Sequence, residues 1–584
     1  MARTFKILVL ILCLTAFAFA RPASCQTPIN CGEVISGSLS VKGERDTYTF
    51  SASANDTVTI RADSGNLCTR LELYAPDGAK VAEADDQINK KLATSGIYTI
   101  LFRDCYNNKT GEYILTWHNL NNPCAAVLRC GQGVNGTLGK TNTEPHWRFY
   151  SFSASAGDSV AIRACALSKM NLYLELYAPD GQNIVNASSL INKTLPLTGK
   201  YTVVITDIYN LGGEYSLLWA RLNTPCAPLI NCGSISKGRY FKVYSFTVSS
   251  NDSVTIRTAT ASGGNGPPLE LYAPDGAKVA ESQGQIDKKL TAPGTYTILA
   301  GNTGDIGNYS IVWQKTNNPC SVVPVSFDTL ITGTVNNFVE IDAYQFTVNP
   351  NDKVVICSNP TSGVNFNCYL QIYDSAGNKL AQGEESLKRT FTTGGTFYLF
   401  IADANYDDTG TYKLMLKKGN VTCADADLTN PQVSLITPQA GEVLESGSTY
   451  PITWSSSDNF DVTKQSIRLS TDSGTTYPDV LASGLSGSVH SYNWHIPATL
   501  STVKARVKVI ARDAQGNIGE DANNSDFIII NTSLPAASKD ANYEYDKLQW
   551  LKKSASSAGD SSDYTYDSLG NRLKIKVIKG QTPP

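Results

Sequence analysis

Apolar and polar residues alternate one for one along most of the chain, in short runs broken by glycine, proline, asparagine and aspartate. Tyr48/Phe50, Val58/Ile60 and Leu71/Leu73 each sit two residues apart with polar partners between them. A period of two is the mark of strands with one buried face. Pro76-Asp77-Gly78 supplies turn chemistry, and Gly96 opens the strand Tyr98-Thr99-Ile100. Tyr113, Leu115 and Trp117 share one face of a closing strand. Helical periodicity is missing after the first twenty residues, so the pattern predicts an all-β chain of antiparallel β-sandwich or jelly-roll domains.

The pattern recurs. Tyr-Ala-Pro-Asp-Gly stands at 74–78, 177–181 and 272–276, with a drifted copy at 373–377. Tyr-x-Phe precedes it at Tyr48/Phe50, Tyr150/Phe152, Tyr244/Phe246 and Tyr344/Phe346, and a Gly-x-Tyr strand closes each copy (Gly111, Gly213, Gly307, Gly410). The boundaries read as 25–123, 124–225, 226–319 and 320–422, each long enough to bury its own core, which predicts a string of domains rather than a continuous stack. Asn-x-Pro-Cys marks the joints. These landmarks resemble the bacterial pre-peptidase C-terminal (PPC) domain. The resemblance implies an accessory module of secreted proteins, not a catalytic domain. Family members often carry acids just before the Tyr-x-Phe. Here only Asp46 and Asp342 stand there, while the second and third copies have Arg148 and Lys242.

Residues 430–532 follow another pattern. The ordered motifs Ile452-Thr453-Trp454, Ser470-Thr471-Asp472-Ser473-Gly474, Trp494-His495-Ile496-Pro497 and Asp513-Ala514-Gln515-Gly516-Asn517 resemble bacterial immunoglobulin-like or fibronectin-III-like modules. Trp454 and Trp494 are expected to fill the inter-sheet core. Asp458, Asp461, Asp513 and Asn517 read as turn residues, with a calcium loop as the alternative. A linker over 533–542 leads to 543–584, where Tyr543-Glu544-Tyr545-Asp546 returns as Tyr564-Thr565-Tyr566-Asp567, followed by Gly570-Asn571-Arg572. This resembles the YD repeat of Rhs-type proteins. The segment is expected to be either a remnant or the start of a longer array.

Composition narrows the function. In 584 residues, Lys+Arg 49 against Asp+Glu 52 leave a net charge of −3, which argues against a nucleic-acid partner. Residues 1–20 read as a signal peptide: Arg3 and Lys6, an apolar run, then Ala18-Phe19-Ala20. After cleavage no transmembrane segment is expected, and the product is secreted or held at the cell surface. Fourteen cysteines are present, and Cys13 leaves with the signal. Cys25/Cys31, Cys124/Cys130 and Cys226/Cys232 share the spacing Cys-x5-Cys-Gly and read as local disulfides, with metal binding or thiols as alternatives. Cys68/Cys105 and Cys357/Cys368 are candidate staples, and Cys320 and Cys423 are candidates to pair with each other, which leaves Cys165.

Catalytic motifs are missing. The four histidines (His118, His146, His490, His495) have no metal-helix spacing, and the adjacent acids Asp85/Asp86 and Glu384/Glu385 read as exposed turns. Trp117, Trp219 and Trp313, with Leu416 in the fourth copy, read as core, with sugar platforms as the alternative. The expectation is a non-enzymatic exported protein without a cofactor, binding an extracellular carbohydrate or protein, as in adhesion. The alternatives are the presenting part of a YD-repeat toxin or wall-associated carrier, and the accessory part of a secreted hydrolase.

Overall fold

The computed structural model describes residues 26–140, 144–301, 307–363 and 365–531, and beyond these residue 550 and the strand segments 541–545, 551–556, 561–566 and 572–578. The signal segment and Cys25 lie outside the described residues, as do Asp546, Asp567, Gly570 and Asn571 of the Tyr-Asp motifs. Tyr545, Tyr566 and Arg572 fall on strands of a four-stranded antiparallel sheet made of Ala541–Tyr545, Leu551–Ser556, Ser561–Tyr566 and Arg572–Ile578. No described helix is long and apolar enough to cross a membrane.

The first copy sets the plan. Its strands are β1 (Thr27–Pro28), β2 (Val34–Leu39), β3 (Arg45–Ala52), β4 (Thr57–Asp63), β5 (Thr69–Tyr74), β6 (Lys80–Ala84), β7 (Gln87–Lys91), β8 (Gly96–Asp104) and β9 (Gly111–Asn119). They form a five-stranded sheet, β1-β3-β8-β5-β6, and a four-stranded sheet, β2-β9-β4-β7. Only β1 pairs in parallel. The five-stranded order recurs in copies two and four, and the four-stranded order in copies two and three. Register is kept to the residue: Ile60 faces Trp117 and Ile88, Ile162 faces Trp219 and Ile191, Ile256 faces Trp313 and Ile286.

The core follows from alternation. Phe50 stacks on Trp117 at 4.3 Å between ring centres, Phe152 on Trp219 at 4.2 Å, and Phe246 lies against Trp313 at 4.5 Å. Each buried indole donates to a backbone carbonyl, of Ile29, Leu128 or Ile230. These tryptophans are therefore core, and they present no face to a sugar.

Within the first of two compact units, which holds the chain to Ser326 with Gly333–Val354 and Pro360–Tyr412, the copies are not independent beads. Ala161, Leu218, Ala220 and Leu222 of copy two form one buried cluster with Val243, Tyr272 and Leu299 of copy three. Ile114 and Leu120 of copy one do the same with Trp147, Phe149, Tyr177 and Val204 of copy two. The expected string is thus a set of sandwiches joined face to face. Copies one, two and three each have a core of their own, and a second apolar layer lies between neighbours.

One polar contact runs through every seam of this unit. Arg61, on β4, meets both carboxylate oxygens of Glu175 at 2.6 and 2.8 Å. Arg163, 1% exposed, meets Glu270 at 2.6 Å and the Tyr272 hydroxyl at 3.3 Å. Arg257 meets the side-chain oxygen of Gln371 at 2.8 Å. Donor and acceptor hold the same places in each copy: the donor follows the Val-x-Ile pair, and the acceptor sits two residues before the turn tyrosine. Burial pushes the Glu270 carboxyl up, but the Arg163 guanidinium and the Tyr272 hydroxyl more than reverse this, and it lies below the usual carboxylate range. In the first copy the equivalent acid, Glu72, is met from within by Arg103 at 3.0 Å and Lys80 at 3.8 Å.

The turn glycines carry the same imprint of the neighbouring copy. Gly78, Gly181, Gly276 and Gly377 all have φ near +80°. A β-carbon on Gly181, Gly276 or Gly377 would also collide with Thr57, Ser159 or Ser253 of the preceding copy, whereas Gly78 has open space.

The disulfides correct the local-loop expectation. The bonds are Cys31–Cys124, Cys130–Cys226 and Cys232–Cys320, with Cα atoms 5.9, 5.8 and 5.9 Å apart. Each closes one copy from its opening to just past its last strand. Cys124 and Cys130, and likewise Cys226 and Cys232, therefore belong to successive bridges, and Cys31 is bonded to Cys124 rather than to Cys25. Ala126–Val127 between Cys124 and Cys130 is a strand, and extended chain at about 3.3 Å per residue carries the ends beyond the Cα separation a disulfide permits. Cys68–Cys105 forms as expected.

In the second unit, Phe327–Thr332, Val355–Asn359 and the chain from Lys413, Cys357 bonds Cys423 rather than Cys368. Cys357 follows the buried Ile356 and so faces the other side of its strand, where it packs with Met415, Ala426 and Leu428. Cys320 and Cys423 are thus in separate bonds. Cys165 and Cys368 are buried and stand outside the five bridges. The immunoglobulin-like domain places Gln432–Thr437, Thr449–Ser457 and Ser491–His495 in one sheet, and Val443–Glu445, Phe527–Ile530, Thr502–Asp513, Val462–Ser470 and Asp479–Ser486 in the other. Trp454 and Trp494 fill the core between them, as expected, with Ile467, Val507 and Phe527.

Two measurements check this architecture. Peptide mapping of the unreduced chain will find Cys31 linked to Cys124 and Cys130 to Cys226, never Cys124 to Cys130. Removing the Cys31–Cys124 bridge will cost up to about 4–5 kcal/mol on the loop-entropy scale. Arg163→Met, which leaves Glu270 with Lys278 at 3.2 Å as its remaining cation, will destabilise by about 1–3 kcal/mol, and Arg163→Met/Glu270→Leu will recover part of that in calorimetric unfolding.

Candidate functional site

A glycine in β2 gives the site its geometry. The four copies carry Gly37, Gly136, Gly238 and Gly333 there, and a β-carbon on any of them would collide with the ring of Tyr113, Tyr215, Tyr309 or Tyr412 from the closing strand. The space lets each closing-strand tyrosine hydroxyl reach a second one: Tyr48–Tyr113 at 2.7 Å, Tyr150–Tyr215 at 2.6 Å, Tyr244–Tyr309 at 3.5 Å and Tyr344–Tyr412 at 2.7 Å.

The copies differ at the next residue out. In copy one Tyr113 donates to Asp46, and in copy four Tyr412 donates to Asp342 at 2.5 Å. Burial pushes the Asp342 carboxyl up to about 6, against the pull of the tyrosine hydrogen bond. Copies two and three put Arg148 and Lys242 at this place, and in copy three a cleft opens beside it. It has a volume of about 550 Å³ and is lined by Lys237, Arg239, Lys242, Tyr309, Asn337 and Phe338 among others. Such a volume is in the range of small-ligand sites. The Lys242 ammonium donates to the Lys237 carbonyl at 3.0 Å and lies 5.6 Å from the Tyr244 ring centre. Arg239 lies over the Tyr240 ring at 4.7 Å. Asn337 donates to Ser310 at 3.4 Å. Among the described residues, Lys237, Arg239 and Lys242 line the cleft with no carboxylate beside them.

Sequence pattern alone does not assemble this cleft. Its one signal there is the change of Asp46 and Asp342 to Lys242. Of the residues named for the calcium-loop alternative, Asp458 and Asp513 come together with Asp427, while Asp461 is exposed and outside the group. Asn517 supports Asp513 by a hydrogen bond of 2.6 Å. Of the paired acids, Asp85 is exposed and bridges Arg70 at 3.3 Å, and Asp86 accepts from Thr69.

Residues 437–510 match the model of the Kre9/KNH-like N-terminal Ig-like domain. No curated protein matches the chain. Among solved structures, the pre-peptidase C-terminal domain of a Bacillus anthracis collagenase is 20% identical, covering 17% of this chain and 98% of that one, with a TM-score of 0.15. The fibronectin(III)-like modules of Clostridium thermocellum CbhA are 15% identical over 36% of this chain and 91% of theirs, TM-score 0.16. The tetra-tandem repeat from the extending region of a large adhesion protein is 14% identical over 66% of this chain and 99% of that one, TM-score 0.14.

The buried Asp342 predicts a pH dependence. Its folded pKa lies above the unfolded value, so its contribution is complete below the ordinary aspartate range and is lost as pH rises through about 6. Asp342→Asn will therefore raise the melting temperature at pH 8 and leave it nearly unchanged at pH 4.

Proposed function

We propose that this is an exported, non-catalytic binding protein whose third repeat receives an acidic group of an extracellular carbohydrate or protein, in the manner of an adhesin. The observation that carries this reading is the convergence of Lys237, Arg239 and Lys242 on one cleft. The five disulfides among the described residues support an oxidising compartment, since such bonds persist outside the cytosol. The face-to-face seams support presentation, because they hold successive copies in fixed order and let weak contacts add. A carboxylate or sulfate entering the cleft meets the Lys237 and Lys242 side chains, with Asn337 and Phe338 on the same lining.

A second reading has one observation behind it. The Tyr-x-Tyr parts of the two motifs, Tyr543/Tyr545 and Tyr564/Tyr566, fall on strands of one antiparallel sheet. That arrangement supports YD-type units and, with them, a carrier role for the chain.

Titration of the exported chain with uronate-containing and sulfated oligosaccharides and with acidic peptides will show binding that weakens as salt rises. Lys242→Asp restores the residue of copies one and four and will weaken that binding by at least about tenfold. Absence of binding to every acidic probe at about 1 mM, well beyond useful affinity, sinks the proposal.

A further inference from the structure

Three carboxylates in the second unit meet without a cation of their own. Asp427 follows the short 3-10 turn Cys423–Asp425, Asp458 follows the strand Thr449–Ser457, and Asp513 ends the strand Thr502–Asp513. One oxygen from each lies within 4.8 Å of the other two. Asp427 is 2% exposed and Asp513 5%. The ion pairs of this unit among the described residues, Lys417–Asp328, Arg506–Asp526 and Lys508–Glu520, include none of the three.

Burying carboxylates without compensation is costly, and each lone pair needs a partner. Asp513 has them: Oδ1 accepts from the Gly516 and Asn517 amides, and Oδ2 from the Asn517 side chain at 2.6 Å. The other two do not. Asp427 Oδ2 and Asp458 Oδ1 are buried and have no hydrogen-bond partner. Their second oxygens are used, by Thr429 at 3.4 Å and by the Phe460 amide at 3.1 Å. The nearest cation, Lys413, spends its ammonium on the side-chain oxygens of Asn430 and Asn517, both at 2.5 Å. With Lys413 counted, the group holds a formal charge of −2.

We propose that Asp427, Asp458 and Asp513 form a calcium site that ties the segment before the first immunoglobulin-like strand to the ends of two later ones. The ligands are all hard oxygens, which suit calcium over zinc or copper. Calcium–oxygen bonds are about 2.3–2.6 Å, so three oxygens within 4.8 Å of one another converge on one ion after a shift of at most a few tenths of an ångström. Its charge balances the group, and its bonds satisfy the two orphaned oxygens. Water completes the shell.

Calorimetric titration of the chelator-stripped, full-length exported chain with calcium chloride at pH 7.5 tests this. The expected result is one site with a dissociation constant of about 10⁻⁴–10⁻³ M, as in extracellular modules, and a higher unfolding temperature for the transition followed by tryptophan fluorescence. Asp427→Asn and Asp458→Asn will each weaken binding at least about tenfold, and Asp461→Asn, outside the group, will bind as the parent does. Circular dichroism confirms that each variant is folded, and the partly exposed Asp458 gives a usable variant should Asp427→Asn misfold. The proposal is overturned by no heat and no thermal shift at tenfold above that range, by a folded Asp458→Asn that binds like the parent, or by loss of binding in Asp461→Asn.

Discussion

A guanidinium taken almost wholly out of water must find an acceptor, and in this protein the acceptor is supplied by the next copy. Arg61, Arg163 and Arg257 leave one sandwich and end on Glu175, Glu270 and Gln371 of another. The apolar layers around them supply the area, but area is indifferent to register. A bidentate or buried polar pair is not, because a slip by one residue would leave a charge with nothing to meet. The seams are therefore specified by the arginines and stabilised by the leucines and aromatics beside them. Where copy three meets copy four, the acceptor is neutral, and Arg257 also lies over the Tyr406 ring at 5.3 Å. That seam keeps the geometry with less charge.

The disulfides act on another scale. Each of the three serial bridges links the two ends of one sandwich, so the crosslink constrains a loop of nearly a whole copy in the unfolded chain. A seam fixes neighbours to each other, and a bridge fixes the copy itself. Copy four departs at both places. The arginine position is Cys357, and its bridge runs to Cys423.

Alternation and turn chemistry made the strands, the four copies and the tryptophan cores legible, because these depend on neighbours in sequence. The disulfide partners were not legible. Cys124 and Cys130 are close along the chain, and only the strand between them shows that they face different bonds. The seams were hidden for a related reason. Arg61 and Glu175 read as ordinary polar positions on the outer faces of two strands, and nothing local says that the faces meet. The cleft lay between these cases. Lys242 in place of an aspartate was visible, but the space beside it depends on Asn337 and Phe338 from the following copy. Asp427 was missed because it precedes the domain whose strand ends it joins.

The two ends of the seam series differ from its middle. Glu72, at the acceptor place of copy one, is already occupied by Arg103 and Lys80, and Gly78 needs no neighbour to explain it. At the donor place of copy four a bonded cysteine replaces the guanidinium. One chain thus offers another neither a buried cation in search of an anion nor an anion in search of a cation. Surfaces that stack copy upon copy within a molecule would otherwise continue between molecules and grow a filament. A stack built on either end would lack the guanidinium-to-acceptor contact that sets the register of the seams within the molecule.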